Sequence, residues 1–170
     1  MEKIDFGPFA LKNVMFRMSK EIKKPWGSHE TLHEDKHCKI KKITINPNSR
    51  ISLQRHKKRD ENWTVLSGNG ILELTWETHM NFSTYEMKNG VSYSIPCGCV
   101  HRATNNSDEP LVFIEVQTGG DFDENDIIRF EDDYGREING KIKTEVKKNE
   151  STETFHPYCG INESDKGGGI

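Results

Sequence analysis

The chain has 170 residues, of which 32% are hydrophobic and 30% are charged, and its formal net charge is −3 at pH 7. This length favours one domain, and the small negative charge gives no global field that would attract nucleic acid. No apolar run reaches membrane-spanning length and the N-terminus has no signal-peptide hydrophobic region, so we expect a cytoplasmic protein without membrane association. Four scattered cysteines are too few for a disulfide framework.

Residues 1–22 carry apolar side chains without a clean period, and we interpret them as an N-terminal arm that packs on the domain or on a second subunit. From Cys38 onward, short apolar and β-branched runs separated by turns predict strands. Many short strands at this spacing indicate an all-β sandwich or barrel. The predicted strands are 40–45, 51–56, 63–67, 71–76, 83–87, 91–95, 100–105 and 111–118.

The most informative stretch lies between two of these strands. Gln54 and His56 are two residues apart, so on a strand they share a face, and Glu61 heads the next strand after a short loop. His101 begins a further strand after the turn made by Pro96 and Gly98. A single histidine on an apolar strand is usually a core residue. The ordered combination instead predicts a site for a divalent metal with nitrogen and oxygen ligands.

The strand at 111–118 places polar residues on an apolar face. Leu111, Phe113, Glu115 and Gln117 share one side of it, and the last two are polar where a core strand would be apolar. The period alone leaves two interpretations open: these positions face solvent, or they face a pocket.

Two blocks, 54–68 and 90–105, resemble the two motifs of the cupin superfamily, with Gln54 where most members have a histidine. The closer resemblance is to the cupin domain of type II phosphomannose isomerases. It implies a cupin double-stranded β-helix (jelly-roll barrel) over residues 23–136, followed by a polar extension, 137–170, whose composition suggests disorder. The matching segments and residues are 24–28, 52–54, Arg59, Glu61, Trp63, 67–68, 95–96, 101–102, 114–119 and 128–136.

This resemblance implies an isomerase that interconverts mannose 6-phosphate and fructose 6-phosphate. The metal ligands would be Gln54, His56, Glu61 and His101, with zinc as the first choice and manganese, iron, cobalt or nickel as alternatives. Gln54 supplies oxygen in place of nitrogen, which slightly favours a harder metal or weaker binding. The general base would be Glu115, with Lys58 or a metal-bound hydroxide as alternatives. The expected substrate contacts are Arg59, Gln117, Arg129, Arg136 and Trp26.

Other functions remain open at this point. Lys57 and Lys58 stand where the family commonly has a histidine cluster, so a different phosphosugar or a nucleotide-linked sugar would also be compatible. A metal-dependent cupin dioxygenase that uses iron is one alternative, and a non-catalytic sugar-binding cupin is another. By analogy with other cupins we expect a homodimer.

Overall fold

The computed structural model describes residues 20–76 and 81–140. Apart from a single-turn 3₁₀ helix, Glu124–Asp126, the regular structure of these residues is β-strand, which confirms the all-β prediction. The strands, numbered in chain order, are β1 Glu21–Lys24, β2 Gly27–Glu34, β3 Cys38–Ile45, β4 Ser49–Arg50, β5 Leu53–His56, β6 Arg59–Ser67, β7 Gly70–Thr75, β8 Ser83–Met87, β9 Ser92–Ile95, β10 Val100–Asn105, β11 Leu111–Gly119 and β12 Ile127–Glu131.

The strands form two antiparallel sheets. One has the order β1-β2-β3-β11-β6-β9, and the other has the order β12-β5-β10-β7-β8, with β4 paired to β10. After β3 the chain passes back and forth between the sheets, so sequence neighbours such as β5 and β6, or β10 and β11, belong to different sheets. This course is that of the predicted jelly-roll barrel.

Side chains from both sheets meet in one buried cluster. Ile45, Trp63 and Phe113 enter it from the first sheet, and Leu72 and Ala103 enter it from the second. The cluster exists because inward residues alternate with outward ones along each strand. Burial of these apolar side chains is the main favourable contribution to folding.

The inward positions change from apolar to polar along three neighbouring strands. Glu115 lies opposite Lys41 of β3, and Gln117 lies opposite Glu61 of β6. All four side chains are buried. Because the strands are antiparallel and in register, these polar residues collect at one end of the barrel interior and leave the other end to the apolar cluster.

The sequence pattern predicted the central strands better than the outer ones. β8 and β10 have the predicted bounds, whereas β1, β2 and β12 were not predicted as strands. β2 reads Gly-Ser-His-Glu-Thr-Leu-His-Glu and lacks β-branched apolar residues. It is a strand because it pairs with β3 along most of its length, so tertiary pairing outweighs a weak local preference.

The domain boundaries differ slightly from the predicted ones. Glu21 and Ile22, assigned to the arm, already pair with β2. At the other end, Arg129 N–H donates to Asn139 Oδ1 at 2.8 Å and Gly140 N–H donates to the Arg129 carbonyl at 2.7 Å. The first residues of the predicted extension therefore pack on β12. The rest of the arm and of the extension lies outside the described residues.

Asn105 joins three parts of the barrel. Its side chain is fully buried, and its amide nitrogen lies 3.0 Å, 3.1 Å and 2.8 Å from the carbonyl oxygens of Ile45, Asn46 and Glu109. Its Oδ1 accepts from the Ser107 backbone N–H at 3.0 Å. The side chain thus holds the end of β3 against the turn that joins β10 to β11.

We expect Asn105→Ala to lower the free energy of unfolding by about 2–3 kcal/mol, because buried backbone groups would lose their hydrogen-bond partner. Urea unfolding followed by tryptophan fluorescence measures this change. The neighbouring Asn106 is exposed, so Asn106→Ala should leave the transition midpoint within error of the unsubstituted chain. Equal midpoints for the two variants would contradict the structural role of Asn105.

Candidate metal centre and cavity

Three predicted metal ligands come together at the polar end of the barrel. His56 ends β5, Glu61 lies in β6 and His101 lies in β10, and their candidate ligand atoms all lie within 4.8 Å of one another. His56 Nε2 is 3.1 Å from Glu61 Oε1, and His101 Nε2 is 3.6 Å from Glu61 Oε2. The three side chains are almost completely buried.

The loop between His56 and β6 is held by a buried carboxylate. Asp126 accepts hydrogen bonds from the backbone N–H groups of Lys57 and Lys58, both at 3.2 Å. The His56 carbonyl accepts from the Gly98 N–H at 2.7 Å, which fixes the turn before β10. These contacts set the positions of all three strand ends that carry the cluster.

The protonation of His101 suits a metal ligand. Its Nδ1 lies 3.0 Å from the Cys99 carbonyl oxygen, which can only accept, so Nδ1 carries the proton and Nε2 presents its lone pair towards Glu61. That Nε2 is buried and has no hydrogen-bond partner among the described residues, and neither has His56 Nδ1. Burial lowers the pKa of His101 to about 4, so the ring is neutral near pH 7. A lone pair held in this way by a second hydrogen bond is typical of metal-binding histidines.

Glu61 is kept ionised despite its burial. Burial alone would raise the pKa of its carboxyl group. The charge and hydrogen bond of His56, the charge that His101 carries below its own pKa, and the charge of Arg59 outweigh burial and hold the pKa of Glu61 well below the ordinary value. Arg59 Nε donates to Oε1 at 3.1 Å, and Trp63 Nε1 donates to Oε2 at 3.1 Å. A neutral-histidine and carboxylate donor set fits zinc, iron, manganese, cobalt or nickel.

Gln54, the fourth predicted ligand, lies beside this cluster. It is directly opposite His101 in the pairing of β5 with β10, and it lines the same cavity as Glu61. Its Oε1 accepts a hydrogen bond from Ser52 Oγ at 2.7 Å. An amide oxygen has two lone pairs, so this bond leaves one for a metal ion.

A cavity open to solvent adjoins the cluster, and Glu61 belongs to both. His56 and His101 do not line it. The predicted site residues that line it are Trp26, Gln54, Arg59, Glu61, Glu115, Gln117, Arg129 and Arg136.

Lys58, the alternative base, is not brought to the cavity. Its side chain is 59% exposed and its ammonium lies 2.9 Å from Asp121 Oδ2 at the surface. It follows His56 by two residues, but the Lys57–Lys58 turn leads from one sheet to the other and directs this side chain outward. Among the described residues, Glu115 is the predicted base that the structure places at the cavity.

Glu115 and Gln117 face the cavity rather than solvent. Gln117 Nε2 donates to Glu115 Oε1 at 2.6 Å and lies 3.2 Å from Glu61 Oε1, so it joins the two carboxylates. Burial first, and the negative charge of Glu61 second, raise the pKa of Glu115 to about 8, although Lys41 opposes the shift. A carboxyl group with this pKa exchanges protons near neutral pH.

Arg59 and Gln117 both contact protein carboxylates. Arg59 is buried, and besides its bond to Glu61 its Nη1 donates to the Asp123 carbonyl at 3.1 Å. Both side chains were predicted to bind substrate, and both line the cavity. Their hydrogen bonds also orient Glu61.

The two arginines near the end of the domain differ in their partners. Arg136 forms a two-point ion pair with Asp132, so most of its charge is compensated. Arg129 lies opposite Gln54 in the pairing of β12 with β5, and its buried Nε lacks a partner among the described residues. Arg129 therefore has the greater capacity to bind an anion. Trp26 is buried and belongs to both the apolar cluster and the cavity wall.

Four polar residues of the cavity lining were not predicted from the sequence. Lys24, His29, Lys41 and Glu124 line the wall formed by β1 to β3 and the 3₁₀ helix. The sequence did indicate an inward position for Lys41, because it lies two and four residues before the buried Ile43 and Ile45 on the same strand. A lysine at an inward position of an apolar strand indicates a pocket.

The comparisons with known proteins show which family the chain belongs to. Residues 12–132 match the protein family described as mannose-6-phosphate isomerase C-terminal. The xanthan biosynthesis protein XanB of Xanthomonas campestris is 38% identical over 120 residues, which cover 69% of this chain and 24% of XanB. The alginate biosynthesis protein AlgA of Pseudomonas aeruginosa is 39% identical over 116 residues, which cover 68% of this chain and 23% of AlgA. The chain thus spans about a quarter of the length of these relatives.

Solved structures confirm the cupin fold. The capsular polysaccharide assembling protein CapF of Staphylococcus aureus matches with a TM-score of 0.59 and 19% identity, over 65% of this chain and 34% of CapF. Oxalate decarboxylase from Bacillus subtilis matches with a TM-score of 0.58 and 18% identity, over 67% of this chain and 30% of the enzyme. At these identities the likeness concerns the fold alone.

In the ranges that the structure describes, no helix has the length and apolar character needed to cross a bilayer. The cytoplasmic location and the homodimer stay predictions. The family match extends over more than half of the sequence, and the solved structures share the barrel fold. The chain therefore belongs to the mannose-6-phosphate isomerase C-terminal family, with a cupin fold.

Proposed function

We propose that this chain is a metal-dependent aldose–ketose isomerase that interconverts mannose 6-phosphate and fructose 6-phosphate. The observation that carries the proposal is the position of Glu115. Its buried carboxyl group, with a pKa of about 8, lies in a cavity directly beside a cluster suited to a metal ion. The family description names the same reaction.

The metal would be held by Gln54, His56, Glu61 and His101, and we propose zinc. When bound, it would act as a Lewis acid that stabilises negative charge on the substrate oxygens. Two of the proposed ligands are already in the protonation states that metal binding requires. His101 is neutral with a free lone pair on Nε2, and Glu61 is ionised. Arg59, Trp63 and Gln117 fix the orientation of the Glu61 carboxylate.

The reaction moves a proton between C2 and C1 of the open-chain sugar. Glu115 would take the proton from C2 of the aldose as a carboxylate and return it to C1 as a carboxylic acid, while the hydroxyl proton on O2 passes to O1. Gln117 donates to Glu115 Oε1 at 2.6 Å, and this bond points the carboxylate into the cavity. Lys41 Nζ, 4.0 Å from the same oxygen, moderates the raised pKa.

The test of the function is a panel of aldose and ketose phosphates incubated with the metal-loaded protein, with the products followed by NMR. We expect mannose 6-phosphate and fructose 6-phosphate to interconvert, and the C2 proton to exchange with deuterated solvent during the reaction. A protein that holds the metal and binds sugar phosphates without product formation would contradict the proposal. Oxygen uptake with an iron-loaded preparation would replace it with oxidative chemistry.

The proposed ligand set predicts that removing one histidine lowers the amount of bound metal. His101→Ala should lower the metal content by at least about tenfold after dialysis against a weak chelator, because one strong ligand is removed. The metal content is measured by mass spectrometry and the folded barrel by circular dichroism. His37→Ala is the matched control, since His37 is exposed and should leave the metal content unchanged. Full metal retention in His101→Ala would rule out the assigned site.

The assignment of the base predicts a loss in turnover. Glu115→Gln should lower kcat by about 10²–10⁴-fold, the usual contribution of general base catalysis, with little change in KM or metal content. Because the pKa of Glu115 is raised, the protonated and inactive form should accumulate as pH falls from alkaline to neutral, at a higher pH than for an ordinary carboxyl group. The variant should lose this dependence.

Lys58 provides the comparison for this experiment. It is exposed and paired with Asp121, so Lys58→Met should keep the kcat and the pH profile of the unsubstituted protein. A large loss of kcat in Lys58→Met, together with an active Glu115→Gln, would transfer the role of base away from Glu115.

A further inference from the structure

The carboxylate of Glu124 occupies the mouth of the cavity. It projects from the 3₁₀ helix, and its Oε1 lies 2.8 Å from Lys41 Nζ. The Glu124 side chain is 48% exposed, whereas that of Lys41 is 6% exposed. The buried ammonium is therefore fixed in the wall, and its acidic partner is free to move towards solvent.

The backbone below Glu124 is anchored independently of its side chain. Asp126 accepts from two backbone N–H groups of the preceding turn, and Asp123 receives a hydrogen bond from Arg59 on its carbonyl. A rotation of the Glu124 side chain would leave these contacts unchanged. It would expose Lys41 to whatever ligand enters the cavity.

Four groups with positive charge or N–H donors line the same cavity as the Glu124 carboxylate. Lys24, His29 and Lys41 come from the adjoining strands β1, β2 and β3, and Arg129 comes from β12 of the other sheet. Burial raises the pKa of Glu124, but Lys41, followed by Lys24 and His29, lowers it to about 2. Arg129 also interacts with the charge of Glu124.

Two of these groups have unsatisfied nitrogen atoms. His29 is 7% exposed, and its Nδ1 has no hydrogen-bond partner among the described residues; the same holds for Arg129 Nε. The two nitrogens belong to different sheets and line one cavity. Arg129 Nε is a donor that the Glu124 carboxylate, bonded to Lys41, leaves unsatisfied. Burial lowers the pKa of His29 to about 4, so its ring is neutral near pH 7 and Nδ1 donates only in the tautomer that carries the proton there.

We propose that Glu124 holds the place of a phosphate group, and that a phosphate dianion displaces it from Lys41 and binds to Lys24, His29, Lys41 and Arg129. A phosphate dianion carries more charge than a carboxylate and has more acceptor oxygens, so it can engage several of these donors together. This inference rests on the proposed function only for identifying the anion as the phosphate of a sugar.

The displacement gives Lys41 and Glu124 opposite effects on anion affinity. Removing the Lys41 ammonium removes a donor to phosphate, so affinity should fall. Removing the charge of Glu124 removes the competitor for that donor, so affinity should rise. A purely structural ion pair would not produce opposite effects. In that case, removing either the Lys41 ammonium or the Glu124 charge would only destabilise the cavity wall, and neither change would raise the affinity for phosphate.

The experiment is a calorimetric titration of the metal-loaded protein with inorganic phosphate. We expect Glu124→Gln to lower the Kd for phosphate by roughly three- to tenfold, and Lys41→Met to raise it by about tenfold or more, as expected for charged hydrogen bonds. The matched control is Glu34→Gln. It removes one negative charge from the Glu34–Lys39 ion pair between β2 and β3. Neither residue of this pair lines the cavity, so the Kd should be unchanged.

Glu124→Gln carries the test if Lys41→Met fails to fold, because the Glu124 side chain is half exposed. An unchanged or weaker phosphate affinity in Glu124→Gln would overturn the proposal. The proposal would also be overturned if phosphate affinity fell on removal of the metal but was the same in Glu124→Gln as in the unsubstituted protein. The anion would then bind at the metal. Opposite effects of Glu124 and Lys41 on phosphate binding, without any sugar isomerisation, would support this phosphate site and refute the proposed reaction.

Discussion

Burial of the Glu61 carboxylate constrains the rest of the structure. An ionised carboxylate removed from water is strongly destabilising unless it is paired and hydrogen-bonded. Here Arg59, Trp63 and Gln117 donate to its oxygens, and His56 lies beside it. Arg59 and Trp63 flank Glu61 on β6, Gln117 lies opposite it on β11, and His56 ends β5. The barrel must therefore keep its register for the charge to be tolerated. The same arrangement leaves the His101 Nε2 lone pair facing Glu61, where a metal ion would bind.

The register also explains why the site and the core share one interior. Along β11 the inward residues change from Leu111 and Phe113 to Glu115 and Gln117. The antiparallel neighbour β3 makes the same change at the same level, from Ile43 to Lys41. β6 makes it one inward position later, from Trp63 opposite Glu115 to Glu61 opposite Gln117. The apolar end supplies the burial that stabilises the barrel. The polar end can then carry charged groups in positions that are fixed by strands rather than by mobile loops.

Charge balance distinguishes the two sides of the cavity. Near the metal cluster, carboxylates are held by neutral or cationic donors, and the proximity of Glu61 contributes to the raised pKa of Glu115. Near the mouth, basic groups outnumber the acidic Glu124, and some of their nitrogens lack partners among the described residues. A substrate with a carbonyl group at one end and a phosphate at the other would match this asymmetry. That correspondence links the proposed reaction to the proposed phosphate site.

The sequence by itself determined the all-β class, the central strands and the residues His56, Glu61 and His101, because strand parity and turn residues are local properties. It did not predict β1, β2 or β12, whose polar sequences become strands only through pairing with neighbours. Only the tertiary structure decided that Glu115 faces a cavity and Lys58 faces solvent. It also revealed Lys41, His29 and Glu124 as cavity residues. The physical reason is that burial, and with it each pKa shift, depends on which strands from distant parts of the chain enclose a side chain.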